Sequence, residues 1–208
     1  AYQLIQRLPP ELADSNRWRY WLARSLQLAQ PNSQQPLILY QPLARERDFY
    51  GFMAADRSKQ SYQLNHQALE LHPKTIQKVR NAAGMRRALE FNQRGELAEA
   101  RREWYHLSGS LSRDELVAQA RIAYDMGWYF PAIRTMGQAK YWDDLEVRFP
   151  MAHQNSLITA AKSRGLHSSW VFAITRQESA FMADAKSHAG AMGLMQLMPA
   201  TAKETAQR

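Results

Sequence analysis

Apolar and polar residues recur at helical spacing along most of this chain, and the strict alternation a half-buried strand needs is scarce. Residues 1–30 read as helix, with Pro9-Pro10 at an entry and Trp18, Trp21, Leu22, Ser25 and Leu26 tracing one stripe. Pro31-Asn32-Ser33 ends that stretch. Leu37–Tyr40 is a short apolar run closed by Pro42, and strand or buried coil fits it equally well. Residues 42–56 read as helix, where Gly51 among Phe49, Tyr50, Phe52 and Met53 is either a close-packing point or part of a groove. Residues 57–74 are polar and read as loop or extended chain.

A weak repeat follows. Residues 75–93 and 96–108 form one helix pair hinged at Gly95, and 113–126 and 129–140 form another hinged at Gly127. Laying Gly95 over Gly127 also superposes Ala88 on Ala120 and Ala100 on Ala132, small residues that let paired helices approach closely. The register of roughly 32 residues is near that of helix-hairpin solenoids, in which each pair buries a face on its neighbour. Such a stack serves as a binding surface or as a spacer. Residues 141–150 close the region, and a domain boundary is placed near Pro150. Beyond it, 151–164 reads as helix with Gly165 as its C′ residue, and His167 or Ser168 begins a second helix with Ser168 or Ser169 as its N-cap. After Ser179 the periodicity fails until Pro199, which suits the first turn of a last helix, 200–207.

Composition narrows the picture. The chain is 208 residues long with 45% hydrophobic residues, enough for a sizeable core, so the pattern reads as an ordered all-α protein. It has no cysteine, which removes disulfides and thiolate metal sites and leaves the compartment open. His66 and His72 lack ligand spacing, so no metal and no cofactor is expected. The net charge of +8 points to an anionic partner such as nucleic acid, acidic lipid or acidic wall polymer, or simply to solubility. Basic residues alternate with acids, as in Arg45-Glu46-Arg47-Asp48, which argues against nucleic acid. No apolar run is long enough to span a bilayer.

The densest chemistry lies in Trp170–Thr201. Trp170, Ile174 and Glu178 share one helical face, so Glu178 is expected among apolar residues. A carboxyl buried there is favoured in its protonated form, as a general acid requires. The plainer alternatives are a half-exposed glutamate near a helix end or a pair with Arg176. Phe181 reads as core rather than cleft.

Taken together, RQESAF at 176–181, Ser187, and GAMGLMQLMPATA at 190–202 closely resemble the soluble lytic transglycosylases, bacterial wall enzymes with a catalytic domain like goose-type lysozyme. The resemblance is strong from about residue 125 and looser before. It implies a superhelical helix-hairpin scaffold and linker over 1–150, followed over 151–208 by the N-terminal part of a lysozyme-like α domain. It further implies cleavage of the MurNAc-β-1,4-GlcNAc bond of peptidoglycan to 1,6-anhydro products, without metal or cofactor. By match to the Glu-Ser motif, Glu178 is the acid/base. Ser179 and Ser187 orient backbone or substrate beside it, Gln196 contacts the sugar, and Met195 and Met198 line the cleft or simply pack. The expected setting is a periplasmic monomer acting on glycan strands, with no nucleic-acid partner and no membrane span. The chain opens on Ala1 rather than Met, as a processed product or internal fragment would. The family's Ala-Tyr-Asn-Ala-Gly motif has no counterpart, so this chain is expected to carry only the first part of the catalytic domain and to be inactive alone. The competing readings are a hydrolytic muramidase and a non-catalytic helical scaffold that binds wall glycan or partner proteins.

Overall fold

The computed structural model describes residues 1–207, and the ordered elements among them are helices. They fall into two units, residues 1–65 and a larger one from His66 onward.

In the first unit, α1 (Tyr2–Ile5), α2 (Pro10–Ala13) and α3 (Asn16–Ala29) replace the single helix expected over 1–30. Pro9 is the N-cap of the second piece and Pro10 its first residue. The run expected as strand or coil is α4 (Gln35–Leu43). Pro36 sits in its first turn, where a missing N–H is harmless, and Pro42 comes one residue before its end. α5 (Phe49–Ser58) starts later than expected, capped by the Asp48 carboxylate, which accepts from Gly51 N at 2.8 Å. A Cβ on Gly51 would fall 2.1 Å from the Glu46 carbonyl oxygen, so this glycine is a close-packing point and not a groove. The unit closes on Tyr20, Ala23, Tyr40, Leu43, Ala54 and Ala55. Burial, with the neighbouring Tyr20 second, pushes the Tyr40 phenol up to about 12.

The second unit begins with an irregular stretch, as expected for that polar sequence, and then α6 (Pro73–Asn81). The helix expected over 75–93 is two. Ala82 takes an extended ψ of 137°, and α7 (Ala83–Gln93) sets off anew. The halves have different partners: α6 packs on α9 (Arg113–Asp125), whereas α7 packs on α8 (Leu97–Ser108). α9 pairs in turn with α10 (Tyr129–Gln138). The two hairpins turn through Gly95 at φ +78° and Gly127 at φ +74°. Ala88, Ala100, Ala120 and Ala132 are all at 0% exposure, so the four small residues of the repeat are where its helices meet.

Several polar groups inside this stack bond to one another. Trp104 donates from its indole to Thr135 Oγ1 at 2.8 Å. Ser108 donates to Gln119 Oε1 at 2.7 Å, and Gln119 returns its amide to the Trp104 carbonyl at 3.2 Å. Ser112 and Glu115 form a capping box at the start of α9.

After the short α11 (Leu145–Arg148) come α12 (Gln154–Ser163) and α13 (Ser168–Ser179), which pack on each other, and finally α14 (Pro199–Ala206). Gly165 has the left-handed φ of +64° expected after α12. The N-cap of α13 is His167, without a side-chain cap bond, rather than Ser168 or Ser169. Pro199 opens α14 as expected.

Candidate active site

Helix α13 buries Val171, Phe172, Thr175 and Ser179. That stripe is not the one periodicity selects. Trp170 is 59% exposed, Ile174 is half-buried and Glu178 is exposed. The reason lies in two hydroxyls: Thr175 donates back to the Val171 carbonyl at 2.8 Å, and Ser179 reaches the Thr175 carbonyl at 3.2 Å. With their polar groups satisfied locally, Thr175 and Ser179 can line a buried face, and the helix turns Glu178 outward. The expected apolar burial of Glu178 is therefore corrected. Nor does Arg176 pair with it: the Arg176 guanidinium lies 4.2 Å over the Phe149 ring, with Nε donating to the Arg148 carbonyl at 2.6 Å.

Two consecutive non-glycine residues in the left-handed region, Ala180 at φ 48° and Phe181 at φ 65°, reverse the chain directly after Glu178-Ser179. Phe181 is buried against Phe172, at a centroid separation of 6.2 Å, which agrees with the core reading. This packing anchors the turn while its backbone is strained.

From Met182 to Met198 the chain is held by short-range backbone pairing. Met192 bridges both Lys186 and Leu197. Gly193 N donates to Ala185 O at 2.8 Å, and the Ser187 hydroxyl accepts from Ala191 N at 2.9 Å. Gln196, at φ 47°, directs its amide nitrogen to Gly193 O at 3.0 Å and Ala185 O at 3.3 Å. Two contacts tie this loop to the rest of the unit. Ser179 donates to Leu194 O at 2.8 Å, and Arg101 on α8 grips Asp184 with two bonds of 3.2 and 2.7 Å.

The residues expected at the site thus divide. Glu178 is exposed at the last turn of α13, and Met198 is 44% exposed at the start of α14. Met195, Ser187 and Gln196 are half-buried in the loop, while Ser179 is buried beneath it, bonding to its backbone. Sequence reasoning did not find Arg101, which lies 83 positions from Asp184 and carries no local signal of the pairing.

Comparisons with known proteins match this architecture. Residues 78–145 match the family model of the soluble lytic murein transglycosylase L domain, and 155–208 match that of the transglycosylase SLT domain. The soluble lytic murein transglycosylase of Escherichia coli K12 is 34% identical over 202 residues, covering 97% of this chain and 31% of that protein. Among solved structures, an inactive glutamate-to-glutamine mutant of the lytic transglycosylase Slt from Pseudomonas aeruginosa superposes with a TM-score of 0.90 at 64% identity, covering 99% of this chain and 34% of that one. The 70 kDa soluble lytic transglycosylase of Escherichia coli gives 0.87 at 32% identity, covering 99% and 33%. The chain therefore spans about one third of the length of the relatives it matches.

Proposed function

This chain belongs to the soluble lytic transglycosylase family, and on that footing we propose that the protein it represents cleaves the MurNAc-β-1,4-GlcNAc bond of peptidoglycan without consuming water, using Glu178 as its single acid/base. In the first step the Glu178 carboxyl protonates the glycosidic oxygen, and the GlcNAc leaves as its 4-hydroxyl. The substrate's N-acetyl oxygen closes on the anomeric carbon and carries the positive charge. Glu178, now a carboxylate, takes the proton of the muramic 6-hydroxyl. That oxygen displaces the N-acetyl oxygen from the anomeric carbon, giving the 1,6-anhydro sugar and restoring the protonated acid.

The observation that carries this reading is the join between Glu178 and the loop. Ser179, the next residue, is buried and bonded to the Leu194 carbonyl, so the motif around Gly193–Gln196 is tied to the turn that presents the acid. Two further points support it. Asp184, the first acid after Glu178 in sequence, is engaged by Arg101, in keeping with one working carboxyl and no second nucleophile. The Pseudomonas relative is described as inactive with one glutamate changed to glutamine.

In the same reading, residues 1–150 are scaffold and linker and 151–208 the first part of the catalytic domain. The gap between the two matched family models, 146–154, supports that division. Met195, Met198, Gln196 and Ser187 line the glycan cleft, and the protein works as a monomer in the periplasm. The net charge of +8 favours staying near a wall polymer that carries carboxylates. No helix among the described residues is long and apolar enough to cross a membrane. The test is the mass of the products released from purified peptidoglycan by the full-length protein. Anhydro-muropeptides support the proposal, whereas products heavier by one water would make the enzyme a hydrolase.

A further inference from the structure

Three arginines converge on a cleft of about 530 Å³ in the second unit. Arg134 of α10, Arg148 of α11 and Arg176 of α13 line it together with Tyr105, Gln138 and Trp142, and no carboxylate is among the lining residues. The volume falls in the range of small-molecule sites. Each guanidinium is laid beside an aromatic ring. Arg148 sits 4.7 Å from Trp142 and 5.2 Å from Phe149, Arg176 sits 4.2 Å from Phe149, and Arg134 sits 6.0 Å from Tyr105. These rings fix the planes of groups that cannot lose their charge near neutral pH. Burial first, and then the charge of Arg148, make Arg176 easier to deprotonate than an ordinary arginine. The three guanidiniums thus share one partly desolvated wall of the cleft. The Tyr105 hydroxyl, among the same lining residues, is buried with no hydrogen-bond partner.

We propose that this cleft is a second binding site, which takes the free carboxylate of a peptide. Ring-backed guanidiniums offer flat two-pronged donors that match a planar carboxylate. Trp142, 48% exposed, and Ile133 supply apolar surface for the residues that carry it. That the peptide is a wall stem peptide rests on the function proposed above; the affinity for a carboxylate does not. On that footing the site would engage the peptide substituent of a strand whose glycan lies at Glu178.

The probe is a short D-glutamate-containing peptide with free carboxylates, titrated calorimetrically into the full-length protein. Control arms use the fully amidated peptide, inorganic phosphate and a peptide-free glycan strand. Saturable binding of the free peptide is expected, lost on amidation, weakened by salt, and about tenfold weaker in each of Arg134→Gln and Arg148→Gln. Arg134 is exposed, so its variant keeps the fold, and a thermal melt verifies this. Unchanged binding in both variants, or equal binding of the amidated peptide, overturns the site. Phosphate binding as tight as the peptide overturns the peptide assignment. Cleavage of the peptide-free strand is followed in parallel. Its absence in the wild type counts against the transglycosylase reading while the titration still reports on the cleft.

Discussion

The hairpin stack of α7–α10 and the segment from α13 to α14 belong to one unit but are held together by different forces. In the stack, Met85, Ala88, Trp104, Ile122 and Met136 lie at 0–2% exposure, and Trp104 bonds to Thr135 and Ser108 to Gln119 within it. Among the described residues from α13 onward only Val171, Phe172, Phe181, Thr175 and Ser179 are buried, while Trp170, Met192, Leu197 and Met198 are 44–59% exposed. There the chain is shaped by carbonyl and amide pairing, by left-handed turns at Ala180, Phe181 and Gln196, and by one ion pair to α8. A stack stabilised by apolar burial serves as a fixed frame. A segment held by a few directional bonds can present Glu178 and apolar surface to a ligand.

Substitutions should separate the two regimes. The largest effect is expected for Trp104→Ala, which removes a fully buried ring and the bond to Thr135. The loss should be about 3–5 kcal/mol, read as a drop in the urea midpoint. Ser179→Ala should cost less, about 1–2 kcal/mol, because it leaves the Leu194 carbonyl without its donor. Its signature is a fall in wall cleavage by the full-length protein out of proportion to that small destabilisation. A stability loss with unchanged cleavage would show that the loop does not depend on this bond.

Arg101→Ala should change stability by less than about 1 kcal/mol, since the Asp184 partner is 41% exposed and screened. If Arg101 positions the loop, the variant still slows cleavage, and exchanging the two side chains as Arg101→Asp with Asp184→Arg restores part of it. The smallest effect concerns acid. The hydrogen bond from Lys78, followed by the Ser112 backbone N–H, holds the Glu115 carboxyl below the usual carboxylate range. A group with a depressed native pKa stabilises the fold above its unfolded pKa and loses that contribution as pH falls through the native one. Glu115→Gln should therefore narrow the stability difference between pH 6 and pH 3, as measured by denaturant titration.

Much of the stack was legible in the sequence, because its positions are set by local rules. Gly95 and Gly127 must adopt positive φ, and the paired alanines must be small where helices touch. Pro199 and Gly165 were legible for the same reason. α4 was missed because Pro42 read as the close of a short run, although a proline beside the last residue leaves a helix intact. The face of α13 was misassigned because Thr175 and Ser179 count as polar in any periodicity, yet they bury once their hydroxyls bond backbone carbonyls. The Arg101–Asp184 pair and the arginine cleft join positions far apart in the chain, where no local pattern reports on proximity.

The central claim is that Glu178 alone moves the proton both to the leaving sugar and from the 6-hydroxyl. Glu178→Gln keeps the shape of the side chain and, because the residue is exposed, should leave the melting temperature unchanged. With purified peptidoglycan as substrate and product masses as the readout, the full-length variant should release anhydro-muropeptides about 10²–10⁴-fold more slowly than the wild type. Release at the wild-type rate by a folded Glu178→Gln protein would contradict the assignment.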